Sequence, residues 1–322
     1  MKEGKNEIVA VVHRWCNGTY LECQDMFRNN GIFRDVLLRI SEKTDIWDVN
    51  LKQEKQADGT YLLKTEAMVY ENTDVTFTLE GHGSKETATV TSKGRKASAI
   101  FQHLQVEEWN AEYPTLYNLY CETKTACIKT RIGFKTVEIR SDMFLINGKK
   151  VKLHGVNHHD TNCKNGYTMT LDEMEHDMEL CKEYNIDTVR MSHYPPDPFM
   201  LEVCDELGIY VVDEADVETH GTFAHKLPPS YNHLSHNPDW EIYFMDRIRR
   251  LYQRDKLHTS VIMWSLGNEA GGYANTDRMY QYLKEHTEIP VHYESAIHTK
   301  RVAYDVALSL IHISEPTRHL RI

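Results

Sequence analysis

The second half of the sequence alternates short apolar runs with helix-forming segments, and this alternation restricts the fold more than any other feature. The apolar runs predict five strands, at residues 151–156, 188–191, 210–212, 261–266 and 291–293. Because a helical segment lies between each strand and the next, we expect the strands to form a parallel sheet. Polar residues follow the strands rather than precede them, which favours a barrel with a site at one end. A doubly wound sheet is the alternative, but no glycine-rich phosphate turn follows any strand.

Local capping signals set the predicted helix boundaries. Residues 170–173 read TLDE, a capping box that predicts the start of a helix with one apolar face. The next helix is expected to begin at Asp197-Pro198 and to end at Gly208. A longer helix is expected over residues 237–254. The predicted apolar face of the first helix consists of Leu171, Met174, Met178 and Cys181.

The middle of the chain, residues 41–137, has the pattern of an immunoglobulin-like β-sandwich. Short alternating runs are separated by turn signals such as Asp58-Gly59. No catalytic residue types cluster there, so a structural role is expected. The seven predicted strands cover residues 45–51, 61–70, 75–79, 87–91, 97–106, 116–122 and 126–132.

Residues 1–40 also alternate in the manner of β-strands. One run lies at residues 8–12 and another at 32–40, with a turn predicted at Asn17-Gly18. Two or three strands cannot bury a core alone. We therefore interpret this segment as the last part of a β-sandwich whose earlier strands are missing.

Composition excludes several classes of protein. With 41 % hydrophobic and 26 % charged residues, the 322-residue chain has the balance of a soluble globular protein. A formal net charge of -11 argues against nucleic acid or an anionic membrane surface as a partner. No stretch has the roughly twenty apolar residues that a membrane crossing needs. The seven scattered cysteines form no CxxC pair, so we expect reduced thiols and a cytoplasmic location. In the chain as given, Met1 is followed by charged residues and not by the apolar segment of a signal peptide.

Chemically useful side chains follow the predicted strands of the second half. The stretch SVIMWSLGNEAGG ends a buried run in Asn268 and Glu269, although these two residues could also simply open a helix. Paired carboxylates with imidazoles and an amide suit glycoside hydrolysis. They also suit hydrolysis by a divalent metal, because Glu218 and His220 lie on one face of an extended segment. The other candidates at strand ends are His158, His159, Asp160, His193, Asp213, Glu214, Asp216 and Glu294.

Adjacent residues of a strand point to opposite faces of the sheet. At most one of His158 and His159 can therefore enter a site at the barrel mouth. Each single histidine is more often a hydrogen-bonded core residue than a metal ligand.

Five motifs of the chain resemble glycoside hydrolase family 2, and within that family the β-galactosidases. The resemblance covers nearly all of residues 1–306. The motifs are TYLECQDMFRNNGIFRDV, WNAEYPTLY, GKKVKLHGVNHHD, VRMSHYPPDPFMLEVCDELGIYVVDEADVETHG and RDKLHTSVIMWSLGNEAGG. The sequence departs from the family pattern at His158, Cys23, Lys135 and Ala270, none of which replaces a functional residue of the family.

The resemblance implies roles for seven residues. Glu269 would be the general acid/base, and Asn268 would contact the sugar 2-hydroxyl. His159 and His193 would line the sugar site. Glu218, His220 and Glu269 would hold Mg²⁺, while Asp25 would reach both the sugar and a Na⁺ ion. The substrate would be a β-galactoside with terminal non-reducing galactose, cleaved with retention, and homo-oligomeric assembly of the parent enzyme stays open.

The resemblance also implies a multidomain fold of a β-sandwich (jelly-roll remnant), an immunoglobulin-like β-sandwich and a partial (β/α)8 TIM barrel. We predict the end of the jelly-roll sugar-binding domain at residues 1–40 and the immunoglobulin-like sandwich at 41–137. The first five strand-helix units of the TIM barrel are predicted at 141–307. Residues 308–322 include LSLIHISEPTR, which looks like a translated sequencing adapter. A sixth strand, built on its apolar residues, is the alternative for this stretch.

The family's nucleophilic glutamate lies on a later strand than the chain contains. We therefore expect a fragment, truncated at both ends, that is inactive and poorly soluble by itself. Three alternatives stay open: a non-catalytic carbohydrate-binding protein, another family 2 glycosidase such as a β-glucuronidase, and a metal hydrolase.

Overall fold

The computed structural model describes residues 3–27, 31–141, 143–222, 234–294 and 304–306. Its first large unit is a sandwich of two antiparallel sheets, ordered β1-β2-β5 and β4-β3-β6-β7. Alternate residues of each inner face are buried, as in β2, where Tyr61, Leu63 and Ala67 point into the core. All seven predicted strands are therefore confirmed. They are β1 (Ile46–Lys55), β2 (Tyr61–Val69), β3 (Asp74–Gly81), β4 (Ser84–Thr91), β5 (Lys96–Leu104), β6 (Tyr117–Glu122) and β7 (Cys127–Ile132).

The structure has no strand at residues 8–12 or at residues 32–40, so the prediction of a strand in each of these runs was wrong. Among the described residues before β1, the regular element is one turn of helix, α1 (Gly18–Leu21), which replaces the predicted turn. The apolar side chains of both runs are exposed. A strand is stabilised by a paired neighbour and a buried face, and no described segment offers either to these runs.

A small antiparallel sheet links the sandwich to the second half of the chain. It consists of β8 (Val137–Arg140), β9 (Met143–Ile146) and β10 (Lys149–Lys150), and a hairpin turn at Asn147-Gly148 joins the last two strands. Phe144 of this sheet belongs to a hydrophobic cluster with strand residues of the parallel sheet described next.

The second half forms a five-stranded parallel sheet in strict chain order, β11-β12-β13-β14-β15. Sequential order is how a (β/α)8 barrel is built, whereas a doubly wound sheet reverses its order at a switch point. The strands are β11 (Gly155–His158), β12 (Thr188–Met191), β13 (Tyr210–Glu214), β14 (Val261–Ser265) and β15 (Val291–His292). The helices between them are α2 (Leu171–Glu183), α3 (Pro198–Leu207), α4 (Glu241–Asp255) and α5 (Ala274–His286).

Most predicted boundaries of this sheet hold, and the exceptions are local. Thr170 and Glu173 form the predicted capping box of α2, and α3 begins after Asp197 and ends at Gly208 in the left-handed conformation. The first strand starts later than predicted, at Gly155. Leu171 is 56 % exposed and does not belong to the buried face of α2. A 3₁₀ turn, Pro238–Trp240, precedes α4.

The sandwich contacts the amino-terminal ends of the parallel strands. Trp109 donates from Nε1 to the carbonyl of Asp205 at 2.8 Å, and the Gly133 amide donates to Thr259 Oγ1 at 2.7 Å. Lys256, just after α4, pairs with Asp48 of β1 at 2.7 Å. The opposite, carboxyl-terminal ends of the strands are thereby left for a site. Of the helices described, none is long and apolar enough to cross a membrane.

Candidate active site

Glu214, at the end of β13, is the centre of a buried polar network inside the strand ends. Arg190 of β12 contacts its Oε2 through Nε at 2.7 Å and Nη2 at 2.6 Å, and Ser265 Oγ donates to the same oxygen at 2.6 Å. His193 Nδ1 lies 2.7 Å from the other oxygen, Oε1. Burial alone would raise the pKa of Glu214, but Arg190 and His193 hold it at about 2. Glu214 is therefore an anion that orients its neighbours.

His292 of β15 extends this network. Its pKa is lowered to about 3 by burial and by the nearby Arg190, so the ring is neutral. Ser265 Oγ donates its proton to the ionised Glu214. It therefore accepts a hydrogen bond from His292 Nδ1, which lies 2.9 Å away. His292 Nε2 and Arg190 Nη1 are buried and have no hydrogen-bond partner among the described residues.

His159 and His193 lie together at the mouth of the sheet. Their rings are edge to face with centroids 5.6 Å apart. Because Glu214 is ionised, His193 donates from Nδ1 and its Nε2 is left for another partner. Burial, with His193 beside it, lowers the pKa of His159. His158 turns the other way, with Nε2 3.0 Å from Asp177 of α2, as predicted for adjacent strand residues.

Asn268 is buried beside Arg190 and Glu218. Its Oδ1 accepts from Arg190 Nη2 at 3.2 Å, and its backbone amide donates to the carbonyl of Val217 at 2.9 Å. The preceding Gly267 has φ +129°, and a Cβ there would lie 2.4 Å from the Val217 carbonyl oxygen. Only glycine allows this close approach of the segments after β13 and β14.

Glu218, His220 and Glu269 form a compact group of ligand-type atoms. His220 Nδ1 lies 2.9 Å from Glu218 Oε1 and 3.2 Å from Glu269 Oε2, and the three donor atoms lie within 4.8 Å of one another. Burial raises the pKa of the Glu218 carboxyl, and its Oε2 is buried with no hydrogen-bond partner among the described residues. Two carboxylates and one imidazole fit a divalent cation. Glu269 is 45 % exposed at its side chain, so it also faces the open side of the site.

A segment from the start of the chain completes this end of the sheet. The amide of Glu218 donates to the Leu21 carbonyl at 2.6 Å, and the amide of Cys23 donates to the Glu218 carbonyl at 3.0 Å. Gln24 donates from Nε2 to the carbonyl of His193 at 3.1 Å. Asp25 follows directly in an exposed bend, so the structure brings it to the edge of the site through its neighbour.

The seven residues singled out in the sequence thus lie in or beside one site. Sequence reasoning missed Arg190, Ser265, His292 and Gln24. The available signal for Arg190 was a charged residue between the apolar residues Val189 and Met191 of the strand TVRM, because a buried charge needs a partner. Nothing in the local sequence marks Gln24, whose contact spans most of the chain.

Family comparisons agree with this architecture. Residues 137–318 match "Glycosyl hydrolases family 2, TIM barrel domain", residues 1–41 match the sugar binding domain of the same family, and residues 44–135 match "Glycosyl hydrolases family 2".

Individual relatives are similar to this chain over most of its length. A beta-galactosidase of Priestia megaterium is 35 % identical over 322 residues, covering 92 % of this chain and 31 % of the relative. One from Arthrobacter sp. is 38 % identical over 295 residues, covering 91 % of this chain and 28 % of the relative. A solved beta-D-glucuronidase from Dictyoglomus thermophilum shares the fold, with a TM-score of 0.77 at 24 % identity, covering 90 % of this chain and 51 % of that one.

The chain spans about 30 % of the length of the curated relatives it matches. The TIM barrel match alone covers more than half of the chain, and it includes every residue of the site except those of the amino-terminal segment. The chain belongs to glycosyl hydrolases family 2.

Proposed function

We propose that the whole protein is a β-galactosidase that removes terminal non-reducing β-D-galactose from β-galactosides with retention of configuration. The observation that carries the proposal is the position of Glu269. It is the partly exposed carboxylate beside the buried Glu218 and the half-buried His220, at the carboxyl ends of the strands. Relatives named beta-galactosidase at 35 to 38 % identity support galactose as the sugar.

In this mechanism Glu269 donates a proton to the departing glycosidic oxygen and later removes one from the attacking water. The nucleophile is a second glutamate, which we place in a part of the whole protein outside residues 1–322. Asn268 contacts the sugar 2-hydroxyl, held by Arg190 on one side and by the Val217 carbonyl on the other. His159, His193 and Asp25 line the sugar.

We also propose that Glu218, His220 and Glu269 hold Mg²⁺, and that Asp25 contributes to a Na⁺ site. The donor set supports magnesium, because Glu218 has a buried Oε2 with no hydrogen-bond partner among the described residues. Its Oε1 lies beside the His220 imidazole, which in turn lies beside the Glu269 carboxylate. When bound, the ion supplies positive charge that favours the ionised form of Glu269. Calorimetric titration should show Mg²⁺ affinity falling at least about tenfold in Glu218→Gln. Unchanged affinity would make Glu218 and His220 a structural ion pair.

The competing substrate class is the β-uronides, because solved structures of similar fold include glucuronidases and galacturonidases. A uronic acid brings a carboxylate into the sugar site and calls for a cation to pair with it. Arg190 is the buried guanidinium of the described site, and Glu214 already pairs with it. This favours a neutral sugar.

The test is a panel of nitrophenyl glycosides that differ only at the sugar. The whole protein should cleave the β-galactoside with kcat/KM at least about a hundredfold above the β-glucuronide and the β-galacturonide. A preference for either uronide would overturn the choice of sugar. Tight galactose binding without turnover of any glycoside would instead indicate a carbohydrate-binding protein.

A further inference from the structure

Asp160 connects three separate segments beside the candidate site. Its Oδ2 accepts the backbone amide of Asp197 at 2.9 Å and faces Arg34 Nη2 at 3.4 Å. Its own amide donates to the hydroxyl of Tyr194 at 3.0 Å. The carboxylate is almost fully buried, with its side chain 7 % exposed. Loop residues after β11 and β12 and a residue of the amino-terminal segment thus meet at one carboxylate.

Arg34 holds the loop after β12 at two further points. It donates from Nη1 to the carbonyl of Pro196 at 3.3 Å and from Nη2 to the carbonyl of Pro195 at 3.2 Å. A guanidinium presents its donors in a rigid planar fork, so these contacts fix the orientation of the loop as well as its distance. The contacted loop begins directly after His193.

The same contacts lead to the imidazoles of the site. Because the Tyr194 hydroxyl accepts from the Asp160 amide, its proton can point to His159 Nδ1, 3.5 Å away. His159 then carries its own proton on Nε2. His193 is held from the other side, through Glu214 at its ring and Gln24 at its carbonyl.

We propose that Arg34 and Asp160 are a pair of positioning residues that fix the imidazoles of His159 and His193 by holding the Tyr194–Asp197 loop. The assignment of those imidazoles to a sugar rests on the proposed function, but the positioning itself does not. Neither residue touches the reacting atoms, and both act through the loop.

The charges around Asp160 agree with this role. His158 Nδ1 lies 3.6 Å from Asp160 Oδ1, and His158 Nε2 contacts Asp177. Although burial lowers the pKa of His158, these two carboxylates raise it to about 9. Asp160 therefore lies between two cations, His158 and Arg34, while it accepts the loop amide of Asp197.

Arg34→Ala is the informative variant, because Arg34 is 34 % exposed and can be removed without leaving a buried charge unpaired. Asp160 loses Arg34 but keeps its contact with His158. Arg39→Ala is the matched control. Arg39 belongs to the same segment and also donates to a carbonyl, that of Ile46 at 2.7 Å, but on the side of the sandwich. Asp160→Asn keeps the acceptor for the Asp197 amide and removes the charge.

The first measurement is nitrogen-15 NMR of histidine-labelled chains, with His159 and His193 assigned through His159→Gln and His193→Gln. Arg34→Ala should shift or broaden the imidazole signals of both residues, and Asp160→Asn should do so to a smaller degree. Arg39→Ala should leave them in place, and the His258 signal should stay constant in all variants because its partner is Asp205. Unchanged signals in Arg34→Ala, or equal changes in Arg39→Ala, would overturn the proposal.

The second measurement is the dissociation constant of methyl β-galactoside. Arg34→Ala should raise it about tenfold, the loss expected for a charge-assisted contact acting through a loop, and Arg39→Ala should leave it within about twofold. If the native chain does not bind the galactoside, that result counts against the proposed function, and the imidazole signals still decide the positioning role.

Discussion

Two carboxylates of the site have opposite surroundings, and this separates their roles at the scale of single residues. Glu214 is buried between Arg190 and His193 and stays ionised far below neutral pH. Glu269 is partly exposed and has one imidazole, that of His220, beside it. A carboxylate held by a buried guanidinium and an imidazole cannot exchange a proton with a substrate, whereas an open one can. This difference in environment supports the proposal that Glu269 is the group that moves protons.

Glu269→Gln should reduce activity in a way that depends on the leaving group. In the whole protein, we expect a loss of at least about a hundredfold on lactose and a much smaller loss in the glycosylation step on nitrophenyl galactoside. The reason is that a nitrophenolate leaves without protonation, while a sugar hydroxyl needs the acid. Single-turnover rates on both substrates measure the difference. Glu285→Gln, on the exposed face of α5, is the control, and equal losses on both substrates would rule out the acid role.

At the scale of elements, the sequence predicts regular structure well where local chemistry and packing agree. The sandwich strands alternate because one face is buried, so periodicity alone located all seven. Helix α3 was predicted to the residue because Asp197 caps its start and Gly208 adopts the left-handed conformation at its end. Both signals lie within the element itself.

Prediction failed where an element depends on distant residues. Residues 8–12 alternate like a strand, but alternation gives a strand only an apolar face. A stable strand also needs a paired neighbour, and no described strand pairs with these residues. Arg190 was missed because periodicity treats it as one polar residue in a strand. Its partners, Glu214 and Asn268, come from two later strand ends. The spacing of Glu218 and His220 suggested metal ligands but left glycoside and metal hydrolysis both open. Glu269 was added to the metal-type cluster only through the family resemblance.

The turn at Gly267 is the element whose change we expect to damage the site most. Gly267→Ala would place a methyl group against the Val217 carbonyl and keep a positive φ, so it should cost roughly 1–3 kcal/mol of folding free energy for the backbone alone, plus the contact. Gly148→Ala is the control. Its φ of +72° is also positive, but no atom lies within 4 Å of the added Cβ.

Urea unfolding of the two variants compares the crowded turn at Gly267 with the open turn at Gly148. Gly267→Ala should lose more stability than Gly148→Ala and should also weaken Mg²⁺ binding, because it displaces Glu269. Equal stability and equal Mg²⁺ binding in the two variants would show that the approach to Val217 is not tight.

At the scale of the whole molecule, the parallel sheet is held at both ends by other parts of the chain. The sandwich contacts the amino-terminal ends through Trp109 and Thr259, and the segment around Gln24 contacts the carboxyl-terminal ends. The buried polar network lies between these two attachments. We therefore expect its charge state to change the free energy of unfolding of the parallel sheet as a whole.

We expect His292 to make the protein sensitive to acid. Its pKa is about 3 in the folded protein and 6.5 as an ordinary histidine, so the unfolded chain binds a proton that the folded chain does not. The stability from the neutral ring is fully present above pH 6.5 and is lost as the pH falls toward 3. Between about pH 6.5 and 5 the folding free energy lost in this way is on the order of 2 kcal/mol.

His292→Gln should therefore flatten the dependence of stability on pH over this range. The exposed His176→Gln on α2 is the matched control and should keep the native slope. Urea midpoints measured across the range decide the question. Parallel curves for all three proteins would mean that His292 titrates normally in the folded state.

The contact between residues 21–24 and Glu218 also bears on how the protein folds. Hairpins such as β1-β2 close short loops, whereas this contact joins segments that are separated in the chain by the whole sandwich and half of the barrel sheet. Closing so long a loop costs more conformational entropy. We expect the sandwich and the parallel sheet to form first and the site to be completed last. In pulsed hydrogen exchange during refolding, the Cys23 amide, which donates to Glu218, should become protected later than the Val211 amide, which donates to Ser260 within the sheet. A refolding chain would thus pass through a state in which the strands of the parallel sheet are paired while the candidate site is still open.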